Sequence, residues 1–168
     1  MMADNGIFNA SQALIRLASE AGITFGFAES LTGGLISASV VEVPGASSAF
    51  KGSVVSYTNE VKENVLGVSS EIIEQHTEVS EECAKAMAEG ACRVIGCDLA
   101  VSVTGIAGPT GDLPGKPVGT VYMGYCYPKR GIAGALRLNF TGDRDTIRTD
   151  TVLAAVKYAA GLIERGEG

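Results

Sequence analysis

Residues 27–37 read FAESLTGGLIS, and within that run Ser30 and Thr32 set two hydroxyl oxygens beside the glycine pair Gly33 and Gly34. The flanking apolar residues have strand character before and helix character after, which places all four at a strand-to-helix turn. Glycine lets a ligand approach the backbone closely, and the opening amides of a helix lack carbonyl partners of their own. Such a turn can hold an anion, stabilise a developing oxyanion or present a nucleophile, and the same residues also fit a plain connection. A second strand-end segment, Thr104, Gly105 and on to Gly108, has a similar mix of hydroxyl and glycine. Ligand sites in parallel sheets gather outside the carboxyl ends of the strands, so both segments are expected to face one cleft.

A serine that attacks an acyl carbon needs a base, and the chain holds a single histidine, His76, which suits a polar helix end. The cation nearest the next strand end is Lys62, which follows Tyr57, Thr58 and Asn59. Lysine serves as a base only when neutral, so its pKa must fall from about 10.4 toward roughly 7–8 through burial or a neighbouring positive charge. A solvated helix lysine is the alternative for Lys62; Tyr57 fits either the core or a phenol that relays a proton. Arg144 and Arg148 stand one helical turn apart and project from the same side, where guanidinium groups grip phosphate or carboxylate or pair with Asp145 and Asp150.

Other motifs fail on inspection. TGDLPGKP has Thr110 at the first glycine position of a phosphate-binding loop and Pro117 at its magnesium-binding hydroxyl. Ser48 to Lys51 spells S-x-x-K without the S-D-N or K-T-G that accompany it in penicillin-binding enzymes, and Ala28 replaces the first glycine of a G-x-S-x-G elbow. Cys83, Cys92, Cys97 and Cys126 form no C-x-x-C pair and are expected as buried small hydrophobes rather than metal ligands or disulfides. With 19 acidic and 13 basic residues the net charge is −6, against a surface built for nucleic acid or anionic membrane. A basic start with an apolar run is absent, and so is an apolar span of membrane length, so a soluble cytoplasmic location is expected.

The scaffold is legible from periodicity. Helices are expected over 10–21, 35–43, from Lys62 to Leu66 after an Asn59 cap, from a Ser70 cap to near His76, from Ser80 through Ile95, and from Asp143 to about residue 165. Strands are expected over 23–28, 52–58, 99–105, 119–127 and 132–140, the last two as a hairpin around PKRG. Helices separate the early strands and a hairpin comes late, which implies an α/β sandwich with a mixed sheet in one domain over 1–168. The Gly/Pro-rich connection 106–119 is long enough to be either a site loop or a surface flap.

The ordered segments AESLTGG, VPGASSAF, YTNEVKENVLGV, VSVTGIAGP, KPVGTVY and TGDRDTIR resemble the CinA carboxyl-terminal domain family. The resemblance implies a three-layer α/β/α sandwich with a mixed, mainly parallel sheet of about five strands, in the stand-alone form. It implies hydrolysis of the carboxamide of nicotinamide mononucleotide to nicotinate mononucleotide and ammonia, within NAD recycling, with no metal or organic cofactor. By motif, Ser30 is the nucleophile, Lys62 its activating partner and Tyr57 close to both; Thr104, Gly105 and Arg144 bind substrate, as do Thr32, Gly33 and Gly34, whose turn amides are expected to stabilise the oxyanion. Leu31 departs from the family, which commonly has cysteine there, and so the alternative of a non-catalytic nucleotide-binding regulatory module stands beside the amidase. The modest size and apolar helices fit a homodimer.

Overall fold

The computed structural model describes residues 5–166. Strand β1 (Phe25–Glu29) is buried along its whole length, because it lies between β2 (Phe50–Val55) and β3 (Leu99–Gly105), parallel to both. Strand β4 (Thr120–Tyr127) runs antiparallel to β3, and β5 (Ile132–Asn139) antiparallel to β4. The five-stranded sheet has the order β2-β1-β3-β4-β5, with four strands pointing one way and β4 alone reversed. The expected mixed sheet and late hairpin are present.

Side chains alternate across a strand, so each face of the sheet needs its own cover. On one face Phe25, Phe27, Val101, Val103 and Met123 form the larger core with α1 (Asn5–Ala21), α2 (Leu35–Val41) and α6 (Arg144–Gly166). Each fully buried phenylalanine contributes roughly 1.5–3 kcal/mol. On the other face Ala28 and Ala100 meet Leu66, Met87 and Ala88, carried on or beside α3 (Asn59–Asn64) and α5 (Glu81–Ala91), with α4 (Ser70–His76) outside them. Small residues on this face let α5 approach the sheet: a Cβ on Gly124 would stand 2.0 Å from the carbonyl of Ala84, and Ser102 donates to that same carbonyl.

Ser80 accepts the amide of Cys83 and Asp143 the amide of Thr146, as their cap assignments require. Two caps fall one residue earlier than expected, on Thr58 and Ser69, since these residues are the ones with extended backbone. Strand β2 stops at Val55 rather than continuing to 58, and α2 ends at Val41 rather than 43. The 106–119 connection is tied down: Leu113 and Lys116 exchange backbone hydrogen bonds, and Lys116 Nζ donates to His76 O, Thr77 Oγ1 and Val79 O. No helix among the described residues is long and apolar enough to cross a membrane.

Candidate active site

Glu29 and Ser30 are neighbours at the end of β1 that serve different faces. The Ser30 amide still donates to Val103 O at 3.1 Å, so the extended ladder continues and alternation sends the two side chains apart. Ser30 opens into a cleft of about 410 Å³ outside the carboxyl ends of β1 and β3, and Lys62, Tyr57, Thr104, Gly105 and Arg144 also line it. Six of the nine residues singled out in the sequence therefore converge.

Lys62 reaches Ser30 from the first turns of α3, whose start is set by the Thr58 cap. Its Nζ lies 2.9 Å from Ser30 Oγ and donates to Ser56 O at 2.9 Å and Tyr57 O at 3.3 Å. Those two carbonyls belong to the residues expected to prolong β2, so the strand ends where its main chain turns toward the lysine. Lys62 is only 1% exposed. Burial disfavours its ammonium form and holds the pKa below the ordinary 10.5, while Cys83 and Glu78 pull weakly the other way. The solvated-lysine alternative is thereby removed.

The turn after Ser30 is organised differently from expectation. The fully buried Glu29 carboxylate accepts Thr32 Oγ1 at 2.8 Å and the amides of Gly34 at 3.2 Å, Ile36 at 2.9 Å and Ser37 at 3.1 Å. Ser37 Oγ and Ser53 Oγ complete its shell. The remaining turn amides of Gly33 and Leu35 donate to Ser30 O and Thr32 O. The anion at the start of α2 is thus the protein's own carboxylate, and Thr32, Gly33 and Gly34 stay out of the cleft lining. Gly34, at φ 102°, provides the left-handed turn that aims these amides at Glu29. Glu29 was not singled out in the sequence; an acid closing an otherwise apolar strand is the signal that marks it.

Arginine at the start of α6 divides its work. Arg148 donates to Leu31 O at 2.8 Å and Thr32 O at 3.2 Å, bracing the Ser30 turn from behind. Arg144 donates to Gly108 O at 2.7 Å and lines the cleft from its exposed rim. Thr104 Oγ1 donates to Glu78 O at 2.8 Å, which joins β3 to the approach to α5. Tyr57 is 60% exposed and stands at the cleft mouth rather than in the core. Glu78 brings a carboxylate into the cleft that sequence reasoning missed, since it lies in an unremarkable polar connection.

A family model for the CinA C-terminal domain matches residues 8–163. The chain belongs to the CinA C-terminal domain family. A CinA-like protein of Thermotoga sp. is 44% identical over 154 residues, covering 89% of this chain and 37% of that protein. One from Dictyoglomus thermophilum is 47% identical over 147 residues, covering 88% of this chain and 35% of that protein. The present CinA domain thus spans about a third of the length of these curated relatives. Among solved structures, the competence/damage inducible protein CihA from Agrobacterium tumefaciens aligns with TM-score 0.92 at 32% identity, covering 96% of this chain and 98% of that one. A CinA superfamily protein from Klebsiella pneumoniae aligns with TM-score 0.90 at 30% identity, covering 95% and 98%. The CinA fold is therefore shared over nearly the whole chain.

Proposed function

We propose that this CinA domain is an amidohydrolase that cleaves the carboxamide of nicotinamide mononucleotide, releasing nicotinate mononucleotide and ammonia. The observation that carries the reading is the buried Lys62 amine 2.9 Å from the Ser30 hydroxyl. An ammonium has three N–H groups and no lone pair, whereas a neutral amine has two N–H groups and one lone pair. Ser56 O and Tyr57 O occupy two donors, so in the neutral form the lone pair faces Ser30 and accepts its proton.

Ser30 Oγ attacks the amide carbon as Lys62 takes that proton, and the lysine then returns it to the departing ammonia. Water repeats the sequence on the acyl-enzyme: Lys62 deprotonates it, the ester bond to Ser30 breaks, and Oγ recovers its proton. The Leu31 amide, next after the nucleophile and outside the set that Glu29 engages, is the donor assigned to the oxyanion. Arg144 at the rim is assigned to the nucleotide phosphate, and Thr104 and Gly105 to the wall against which the substrate packs.

The test is ammonia release from nicotinamide mononucleotide by purified protein, with Ser30→Ala as control. Release that disappears in the variant while its fold and ligand binding persist is the expected result. Nucleotide binding with no release by the unaltered protein would favour the regulatory module instead.

A further inference from the structure

At the opposite end of the sheet a second cavity of about 420 Å³ is lined by three cysteines, Cys92, Cys97 and Cys126, with Glu89, Arg93 and Pro128. Cys97 precedes β3 and Cys126 lies near the end of the reversed β4, so neighbouring strands bring two thiols to one edge. Cys92 arrives by a local irregularity. Helix α5 gives way to a π turn over Cys92–Gly96, after which the backbone becomes extended at Cys97 and leads into β3. The Cys92 thiol donates to Cys126 O at 3.5 Å and the Cys97 thiol to Leu99 O at 3.3 Å, and both sulfurs border the cavity as free thiols.

The three thiols differ. Cys97 is held below the ordinary thiol pKa, chiefly by the Cys92 thiol beside it, while burial and Asp98 oppose the shift and Lys51 adds a small contribution. The Lys51 ammonium donates to Gly96 O at 2.9 Å, next to Cys97 in the chain. Cys92 is pushed upward, chiefly by the neighbouring Cys97 thiol and then by burial, and burial pushes Cys126 up to about 12. All three retain slight exposure, at 8%, 9% and 6%, whereas Cys83 is fully buried away from this cavity. No group of three ligating side chains among the described residues is arranged to hold a metal ion.

We infer that Cys97 and Cys92 form a dithiol modification site that takes a small hydroperoxide, Cys97 being the attacking sulfur and Cys92 the resolving one. The Cys97 thiolate attacks the terminal peroxide oxygen, the O–O bond breaks, and the leaving alkoxide takes a proton to become an alcohol, leaving Cys97 as a sulfenic acid. Cys92 then gives up its proton and attacks the Cys97 sulfur; the S–O bond breaks and hydroxide leaves as water. Two thiols and one hydroperoxide thus become one disulfide, one alcohol and one water.

The experiment treats the folded protein with hydrogen peroxide, blocks free thiols, and maps tryptic peptides without reduction. Trypsin cuts after Arg93, between the two cysteines, so the bond appears as a linked pair of peptides. Fragment ions separate Cys97 from Cys126 on the shared peptide. The expected result is one Cys92–Cys97 disulfide, lost on reduction, with Cys83 still free. In Cys92→Ser the bond is lost and a dione probe traps a sulfenic acid on Cys97. A folded protein that stays fully reduced while its urea-unfolded form oxidises overturns the assignment. So does first reaction at Cys126 or Cys83, which the unaltered protein reports without any variant.

Discussion

The Lys62 amine has its donors directed at two main-chain carbonyls and its remaining position at Ser30. Only the deprotonated form can accept the serine proton, so kcat/KM for ammonia release should rise with pH and level off once Lys62 is neutral. Its midpoint should lie below 10.5, the ordinary lysine value. Lys62→Met should lower kcat by roughly a hundred- to ten-thousand-fold, the span of general-base catalysis, and erase that limb of the profile. Stability gives an independent reading. A lysine with a depressed folded pKa binds more protons when unfolded, so its penalty is complete below the folded pKa and fades as pH climbs to the unfolded value. Urea midpoints of the unaltered protein should therefore rise across that interval, and in Lys62→Met the rise should be smaller. The type and place of Ser30 and Lys62 were legible in the chain, because hydroxyl and amine chemistry follow from residue identity. Burial was not, since a lysine amid YTNEVKE looks solvent-facing until β2 and α3 fold over it.

At the next scale, the start of α2 depends on one carboxylate. Glu29→Ala would leave the amides of Gly34, Ile36 and Ser37 and the hydroxyl of Thr32 without their acceptor. Each buried orphan costs about 1–3 kcal/mol. Chemical denaturation should register a loss of at least about 3 kcal/mol, and activity should fall with it because Ser30 rides on the same turn. A second link pairs elements distant in sequence. Asp98 Oδ2 accepts the Thr24 amide at 2.9 Å and hydroxyl at 3.1 Å, joining the entries to β1 and β3. Lys129 first, and then the Thr24 amide, hold Asp98 below the ordinary carboxylate value of 3.8. A depressed carboxylate contributes stability above its unfolded pKa and loses it as pH falls through the folded one. Asp98→Asn should thus flatten the acid side of the stability curve. Element types and the hairpin were readable from periodicity, whereas cap positions slipped by one residue: adjacent polar residues can both cap, and only backbone geometry selects between them.

For the molecule as a whole, the two helical layers must sit at set heights above one sheet if Ser30, Lys62, Thr104 and Arg144 are to share a cleft. The α5 side is the tighter, with the Ala84 carbonyl where a Gly124 Cβ would go. Gly124→Ala should force the helix outward and reduce stability by about 1–3 kcal/mol as overpacking does. Thermal denaturation checks this, and the accompanying shift of α5 should also relax the Thr104–Glu78 contact at the cleft wall.

Apolar period, turn residues and ordered motifs were enough to determine the α/β class and the five strands and to single out Ser30 and Lys62 as candidate reacting groups, because these depend on local preference and chemical identity. Tertiary structure decided which charges were buried. It turned Glu29 inward to satisfy the α2 amides, left Arg144 at the rim and set Arg148 behind the turn. Desolvation and hydrogen-bond satisfaction are properties of surrounding atoms, most of them remote in the chain, and no local pattern of residues encodes them.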